Sequence, residues 1–458
     1  MSRDLLLDEA PLEGIDQLVD YFRLGAKTDS NLGIGTEHEK FLFSRPGHER
    51  LAFDGPRGIE ELLERLAQRF DYERQFDQGR LVALVRNGEA ITLEPGGQFE
   101  LSGAVTQTIF ETRDEFDRHI AELAEVCGPQ VASVSFGLDP FDGLAATDWV
   151  PKSRYAVMSR YLATRGGLAH WMMKGTCTIQ ANLDYQSEAD AVDIVHTATL
   201  LSPIVNALFA NSPIRERADT GMQSFRAQIW TDTDPDRCGV PDFMLHDEWG
   251  FEEWANWVLD VPLFFLRRES GYIDLAGRSF RALMAGEIDG LVATMGDFEL
   301  HLSTVFPEVR LKRFVEVRSA DGGSRDHVLA LPALWKGITY DLQARREARE
   351  LVLPGYGPLA TRREAHSELY RVAATDGIHG SWRGRSIREI AASLLSIARA
   401  GLDRLAAKDH HPTEAVFLAP LDAITANAVT AADQLRADFA ANEGDRDAII
   451  SSRNLLRG

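Results

Sequence analysis

Two glutamates interrupt a segment that is otherwise suited to the interior of a β-sheet. The segment GIGTEHEKFLF, residues 33–43, follows Leu32 and ends in three apolar residues, which predicts a largely buried strand. Glu37 and Glu39 are two residues apart, so their side chains point to the same face of a strand. Neighbouring carboxylates that are partly removed from water are unfavourable unless positive charge compensates them. The fold must therefore supply that charge.

Other segments with the spacing of strands also carry polar residues on one face. Their alternation predicts half-buried strands, each with an apolar face that packs inward. The polar faces hold Glu94 at the end of residues 91–94; Gln98, Glu100 and Ser102 in residues 98–102; Gln180 and Asn182 in residues 176–185; Ser224, Arg226, Gln228 and Trp230 in residues 224–230; and Glu316 and Arg318 in residues 311–318.

The composition of these polar faces is selective. Glutamates occupy three of the strands, amides a fourth and arginines two, while lysines are few. Any one strand is compatible with a solvated outer face. Together, the faces favour a site for metal-bound phosphates, because Mg²⁺ and Mn²⁺ take oxygen ligands and arginine binds carboxylate or phosphate in a bidentate manner.

The overall charge and composition limit the partners of the chain. Its 458 residues carry a net charge of −21, which argues against nucleic acid or an anionic membrane as a partner. No run approaches the roughly 18 apolar residues of a membrane span. The acidic amino terminus does not resemble a targeting peptide, and the three cysteines are odd in number and lack CxxC spacing. We therefore expect a cytoplasmic location.

The sequence lacks the usual nucleotide-binding loops. GIGTEH begins like a dinucleotide-binding fingerprint but has no third glycine, and no Gly-Lys pair is present for a phosphate-binding loop. Any bound nucleotide must be held by metal ions and side chains.

The order of predicted elements favours an α+β fold with a mostly antiparallel sheet. Residues 14–24, 58–70 and 114–126 have helical spacing, and capping boxes at Ser187 and Ser386 open two further helices, the first of which carries Pro203 as a break or kink. Strands and helices do not alternate regularly. Residues 345–385 are predicted to be loop-rich. We divide the chain into a catalytic part, 1–345, and a C-terminal helical layer, 346–458, that packs on it and is not independent.

Seven segments together resemble glutamate–cysteine ligases of the plant and proteobacterial type. One such segment would be weak evidence, whereas seven in the same order are specific. They span roughly residues 30–340 and are GIGTEHEKF, ITLEPGGQFELSGA, MMKGTCTIQANLDY, NALFANSP, SFRAQIWTDTDPDR, VLDVPLFFLRRESGYID and FPEVRLKRFVEVRSADGG.

The resemblance implies both a fold and a reaction. The fold is a curved, mostly antiparallel sheet that forms a funnel flanked by helices, as in glutamine synthetases. In the reaction, ATP phosphorylates the γ-carboxylate of L-glutamate, and the amine of L-cysteine displaces phosphate to give γ-glutamylcysteine, the first step of glutathione biosynthesis. The residues agree with this chemistry, because phosphoryl transfer to a carboxylate requires charge neutralisation and alignment rather than an enzyme nucleophile.

The resemblance also implies roles for individual residues. Arg318 and Glu316 would be catalytic, with Arg318 facing the transferred phosphate, and Arg226 with Trp230 would bind glutamate. Gln180 stands where a more distant enterobacterial branch has histidine, which leaves its role as a metal ligand open. Mg²⁺, with Mn²⁺ as an alternative, would supply the charge that Glu37 and Glu39 require. The implied metal ligands are Glu37, Glu39, Glu94, Glu100, Gln180 and Glu316.

Two alternatives remain at this stage. The first is a γ-glutamyl ligase for a different amine, because the acceptor pocket cannot be identified from motifs. The second is a non-catalytic, metal-binding paralogue, which the joint presence of the glutamates and Arg318 disfavours. The expected partners are the small molecules glutamate, cysteine and ATP, with the chain acting as a monomer or weak homodimer.

Overall fold

A computed structural model describes residues 10–28, 32–45, 47–269 and 271–457. Residues 1–9 of the acidic amino terminus lie outside the described residues, so the expectation that this segment is not a targeting peptide stays a prediction.

A nine-stranded sheet forms the centre of the structure. All its pairings are antiparallel, and the order along the sheet is β8-β9-β7-β1-β5-β4-β3-β2, with β6 paired to the end of β1. The strands are β1 (Ile34–Ser44), β2 (Glu73–Asp77), β3 (Arg80–Arg86), β4 (Glu89–Leu93), β5 (Phe99–Ser102), β6 (Val131–Val134), β7 (Thr178–Leu183), β8 (Val309–Leu311) and β9 (Val315–Asp321).

Helices flank the sheet, which confirms the predicted α+β class. They are α1 (Ile15–Arg23), α2 (Ile59–Phe70), α3 (Ile109–Cys127), α4 (Ser153–Leu162), α5 (Ala169–Gly175), α6 (Glu188–Leu208), α7 (Phe225–Thr231), α8 (Phe251–Asp260), α9 (Phe280–Met284), α10 (Met295–Leu302), α11 (Arg325–Thr339), α12 (Leu342–Tyr356), α13 (Arg362–Asp376), α14 (Ile387–Asp409), α15 (Ala419–Asn427), α16 (Ala431–Ala441) and α17 (Arg446–Ser452).

The main core lies between the apolar face of the sheet and the long helices. Ile179, Ala181 and Leu183 of β7 pack in one hydrophobic cluster with residues of α6, α11 and α14. Since one cluster includes residues on both sides of position 345, the C-terminal helices share the core of the sheet. The division into 1–345 and 346–458 stays a prediction, and its boundary falls inside α12.

Two predicted segments were assigned the wrong type of structure. Residues 345–385 are mostly helical, in α12 and α13, because most of their charged residues lie on the outer faces of amphipathic helices. Residues 225–231 form helix α7 where a strand over 224–230 was predicted, and the Ser224 side chain caps the helix by accepting from the Ala227 N–H. Helix α6 continues through Pro203, so the predicted break is absent, and the alternative of a kink stays a prediction.

Among the individual helices of the described residues, α6 alone is long and apolar enough to cross a membrane. Its apolar window is 94% buried inside the structure. The Ser187 hydroxyl caps this helix by accepting from the Asp190 N–H, which confirms the predicted N-cap. The reciprocal half of the predicted capping box is absent, because the Asp190 carboxylate accepts from the Gln186 N–H instead. Its burial is that of a central core helix.

Helix α3 presses a carboxylate against the end of β5. The Ala104 N–H donates to Oε1 of Glu115 at 2.8 Å. The glycine before it permits this close packing, since a Cβ at Gly103 would lie 2.9 Å from the Thr36 carbonyl oxygen as well as 2.2 Å from Oε2 of Glu115. Burial, aided by the nearby Glu89, raises the pKa of Glu115 to about 7.

This raised pKa predicts a pH-dependent cost of folding. When the pKa of a carboxyl group is higher in the folded protein than in the unfolded chain, the folded protein becomes less stable as pH rises. The loss begins near the unfolded pKa, about 4.3, and continues through the folded pKa, about 7. Glu115→Gln removes that loss. The free energy of unfolding of the variant relative to the wild type, measured with urea, should therefore increase by on the order of 2–3 kcal/mol between pH 5 and pH 8. A difference that stays constant with pH would contradict this. The exposed Glu125 on the same helix provides the control, and Glu125→Gln should change stability by less than about 0.5 kcal/mol.

Candidate active site

The register of four neighbouring strands brings the predicted site residues together on one face of the sheet. Antiparallel pairing places residues of equal orientation directly opposite one another, so the polar faces of β5, β1, β7 and β9 join into one surface. The paired residues are Glu39 with Glu100, Glu37 with Gln180, and Asn182 with Glu316.

Glu37, Glu39 and Glu100 of this surface line a small cavity of about 110 Å³. Glu39 accepts a hydrogen bond from the Thr178 N–H at 3.0 Å, and Glu37 accepts one from Nδ2 of Asn182 at 2.8 Å. Glu94, from the loop after β4, also lines the cavity. The cavity therefore collects four of the carboxylates that the sequence singled out.

The carboxylates in this cavity destabilise one another's charge. Burial, followed by the charges of Glu94 and Glu100, raises the pKa of Glu39 well above its usual value. Burial and the charges of Glu37 and Glu94 raise the pKa of Glu100 to about 7. The region around Glu39 and Glu100 is thus electrostatically short of positive charge. The pKa of Glu37, by contrast, is lowered against the effect of its burial, with Lys312 and the Asn182 hydrogen bond contributing.

The donor set fits a hard divalent cation in its chemistry. Clustered carboxylate oxygens are the ligands that Mg²⁺ and Mn²⁺ take, and a bound cation would relieve the repulsion between Glu39 and Glu100. Within the described ranges, however, no three His, Cys, Asp or Glu side chains converge closely enough to hold one ion. Metal binding at this cavity would therefore require side-chain rotations.

Glu316 has a different environment from the other glutamates. It is fully buried and accepts from Arg310 Nε at 2.7 Å, Lys312 Nζ at 2.9 Å and Arg318 Nη1 at 2.7 Å. Burial alone would raise the pKa of Glu316, but these three cations hold it well below its usual value. A metal ion bound here would have to replace one of them.

Arg318 connects this cationic group to the acidic cavity. Its Nη1 donates to Oε1 of Gln180 at 2.8 Å as well as to Glu316. Gln180 consequently presents its carbonyl oxygen to an arginine, in place of the metal that the resemblance implies. The guanidinium also lies 5.9 Å from the centre of the Trp230 ring.

Arg226 and Trp230 lie one turn apart on helix α7 and therefore share a face, although by helical rather than strand spacing. Arg226 is buried, and its Nη2 donates to the Arg318 carbonyl at 3.1 Å. Its Nε has no hydrogen-bond partner among the described residues. Asp321 anchors this helix, since it accepts from the Ser224 hydroxyl at 2.9 Å and lies 3.8 Å from Arg226 Nη1.

A second and larger cavity, of about 500 Å³, adjoins the acidic one. The two cavities share Arg226, Trp230, Phe306 and Arg318 as lining residues. Helix α13 forms another part of the lining of the large cavity. A ligand at the arginines can thus reach both the carboxylates and the large cavity.

Two basic residues of the site were missed by the sequence analysis. Arg310 and Lys312 contact Glu316 because β8 and β9 form a hairpin, in which Arg310 pairs with Glu316. A single strand over residues 311–318 had been predicted. The signal was present in RLKRFVEV, since Arg310 and Lys312 alternate with apolar Leu311 as residues of one strand face do.

Comparison with known proteins gives a consistent result. The family model for glutamate–cysteine ligase family 2 matches residues 33–452. Glutamate–cysteine ligase A, chloroplastic, of Oryza sativa subsp. indica is 37% identical over 424 residues, which cover 92% of this chain and 83% of the relative. The chloroplastic enzyme of Nicotiana tabacum is 38% identical over 438 residues, covering 95% of this chain and 81% of the relative.

A solved structure shows the same fold at much lower identity. The glutamate–cysteine ligase of Francisella tularensis, crystallised in complex with AMP, is 13% identical, with a TM-score of 0.59, and the match covers 93% of this chain and 88% of that one. The similarity confirms the predicted fold class.

The relatives contradict one prediction. They are named as chloroplastic enzymes, so the cytoplasmic location inferred from the amino terminus and the cysteines is wrong. Acidic composition bears on solubility, and a small number of cysteines bears on redox chemistry. Neither property specifies a cellular compartment. The family model matches 420 contiguous positions, residues 33–452, and the relatives align over more than nine-tenths of this chain. This chain therefore belongs to the glutamate–cysteine ligase family 2, a family of ligases.

Proposed function

We propose that this protein joins the γ-carboxylate of L-glutamate to the amine of L-cysteine at the expense of ATP. The products are γ-glutamylcysteine, ADP and phosphate, and the reaction is the first step of glutathione biosynthesis. The observation that carries the proposal is the junction of an acidic cavity and a large cavity at Arg226 and Arg318, in a chain of this family.

The chemistry requires an activated donor. A free carboxylate is a poor acyl donor, so the γ-carboxylate of glutamate is first converted into γ-glutamyl phosphate, which the amine then attacks. Alignment and neutralisation of charge supply most of the catalysis in such a phosphoryl transfer. The AMP bound to the Francisella tularensis relative supports ATP as the nucleotide here.

Glu39, Glu94 and Glu100, with Glu37 beside them, are proposed to hold Mg²⁺ or Mn²⁺. Such a cation would neutralise negative charge on the phosphate oxygens. Arg318, which lines both cavities, is proposed to face the transferred phosphate. Glu316 and Gln180 keep the roles of metal ligands only as predictions, and their contacts support a second role, the positioning of Arg318.

Arg226 is proposed to bind a carboxylate of substrate glutamate. Its guanidinium is buried, carries an unpartnered Nε in the described structure and stacks 6.0 Å from the Trp230 ring. The Trp230 ring lies within 6.0 Å of the guanidiniums of both Arg226 and Arg318 and is proposed to help position them. We also propose that the enzyme acts on small molecules without nucleic acid or membrane, as a monomer or weak homodimer.

A phosphate-release assay tests the proposed function. The enzyme, ATP, Mg²⁺ and glutamate are incubated with a panel of amines that includes cysteine, and the amide product is identified by mass spectrometry. Cysteine is expected to give the highest kcat/KM. Faster turnover with another amine would establish a different γ-glutamyl ligase, and a lack of phosphate release with every amine would refute ligase activity.

The first prediction from the proposed function concerns Arg226. Arg226→Lys keeps the positive charge but loses the planar pair of donors, so glutamate binding should weaken by about 1.5–3 kcal/mol, or roughly tenfold to a hundredfold in KM. Steady-state kinetics with varied glutamate measure this change. Unchanged KM and kcat would instead assign Arg226 a purely structural ion pair with Asp321.

The second prediction concerns the acidic cavity. Mg²⁺ with a non-hydrolysable ATP analogue should raise the melting temperature of the wild type, because a ligand that binds the folded state stabilises it. Glu39→Gln should lose most of that increase. Without metal, the same variant should melt no lower than the wild type, since it removes one of several repelling charges. Equal metal-induced shifts in both proteins would exclude Glu39 from metal binding.

The third prediction separates the two roles of Glu316. Glu316→Gln leaves Arg310, Lys312 and Arg318 under-compensated, so unfolding should become easier by about 3–5 kcal/mol, and kcat should fall. If Glu316 positions Arg318, the Mg²⁺-induced increase in melting temperature is retained in the variant. Loss of that increase would show that Glu316 binds the metal.

A further inference from the structure

The large cavity is lined by a carboxylate and an imidazole that belong neither to the proposed metal site nor to the residues shared by the two cavities. Glu308, which follows the short strand Phe306–Pro307, is about 13% exposed at its side chain and lines the cavity. His366 on α13 also lines it and is 5% exposed. Their nearest atoms, Glu308 Oε1 and His366 Nε2, are 3.8 Å apart.

The Glu308 carboxylate is held in place, but only one of its two oxygens accepts a hydrogen bond from the described residues. Its Oε2 accepts from the hydroxyl of Ser202 on α6. Its backbone is fixed on both sides, by the Gly239 carbonyl at 3.2 Å and the Arg318 N–H at 3.0 Å. In the described part of the chain, Oε1 receives no hydrogen bond. The structure therefore presents one carboxylate oxygen to the cavity.

Hydrogen bonds determine which nitrogen of His366 carries the proton. The Tyr356 hydroxyl has a single hydrogen, which it donates to the Leu200 carbonyl at 2.7 Å. The bond of 3.0 Å between Tyr356 and His366 Nδ1 must then be donated by Nδ1–H. In the neutral ring, Nε2 keeps its lone pair, and it has no hydrogen-bond partner among the described residues. In that tautomer of the ring, Nε2 and Glu308 Oε1 are two acceptors that lie 3.8 Å apart without a donor between them.

The rest of the cavity indicates what the missing donor is. Arg226 and Arg318 line the same cavity as Glu308, so it offers cations to a carboxylate and an anion to an ammonium group. This is the charge pattern of an amino-acid zwitterion. The Tyr370 hydroxyl, one turn from His366 on α13, donates to the Ala227 carbonyl of α7, which ties the Glu308 side of the cavity to the helix that carries Arg226.

We propose that Glu308, together with His366, forms a subsite for the α-ammonium group of an amino-acid substrate. The inference rests on the proposed function and adds the groups that recognise the amine. An ammonium group donates one N–H to Oε1 of Glu308 and a second to Nε2 of His366, after a small approach of the ring to the cavity. Glutamate and the acceptor amino acid both carry such a group, and the two sources can be distinguished by kinetics.

Glu308→Gln is the principal test, because it removes the charge while retaining an oxygen for the Ser202 hydroxyl. The KM values for glutamate and for cysteine are measured, and glutarate, which lacks the amino group, is tested in place of glutamate. If the subsite binds glutamate, the variant should raise the KM for glutamate about tenfold to a hundredfold, leave that for glutarate unchanged, and lose the preference for glutamate. If it binds the acceptor, the KM for cysteine should rise and the preference should persist.

Two variants serve as controls. Asp242→Asn removes a carboxylate of equal charge that pairs with Arg363 at the rim of the cavity, and it should leave both KM values unchanged. Glu308→Asp keeps the charge and should recover part of the lost affinity. Unchanged KM values for both amino acids in Glu308→Gln, whether or not its melting temperature falls, would overturn the proposal and leave Glu308 as a structural partner of His366.

Calorimetry separates this proposal from the proposed function. Glutamate is titrated into the wild type and Glu308→Gln in the presence of Mg²⁺ and a non-hydrolysable ATP analogue, and the titration is repeated with cysteine. A wild type that binds glutamate or cysteine but forms no γ-glutamylcysteine would refute the function, while weaker binding by the variant would still support the subsite. Equal binding of both amino acids to the two proteins would refute the subsite alone.

Discussion

The antiparallel register of β1 with its two neighbours is the constraint on which the site depends. It places Glu39 opposite Glu100 and Glu37 opposite Gln180 on one buried face. Carboxylates so arranged repel each other, and burial prevents water from screening them. The raised pKa values of Glu39 and Glu100 are the direct consequence. The hydrogen-bonding pattern of the sheet thus concentrates negative charge on one buried face, as the proposed cation site requires.

The opposite edge of the same surface has the reverse balance of charge. Glu316 is surrounded by Arg310, Lys312 and Arg318, which favours its ionised form despite complete burial. Arg318 lies between the two regions and bonds to Gln180 as well as to Glu316. The change from an acidic cavity to a cationic edge is compatible with the proposed phosphoryl transfer, in which developing negative charge must be neutralised.

The large cavity offers both signs of charge to a ligand. Arg226 and Glu308 line it with opposite charges, on elements that come from distant parts of the chain. Helix α13, in a region that the sequence analysis expected to be loop, supplies His366 and Tyr370. The C-terminal helices therefore contribute lining residues to the cavity as well as core packing.

The sequence by itself determined the polar faces of β1, β5, β7 and β9, since alternation along a strand is a local property. It also determined the helix starts at Ser187 and Ser386, because side-chain capping involves only neighbouring residues. The segment around Arg226 has a spacing compatible with strand and helix alike, and only its packing against β9 through Asp321 decided for the helix. The partners of Glu316 and the meeting of Glu308 with His366 were likewise decided by tertiary structure, because charges that compensate each other in space need have no regular separation in sequence.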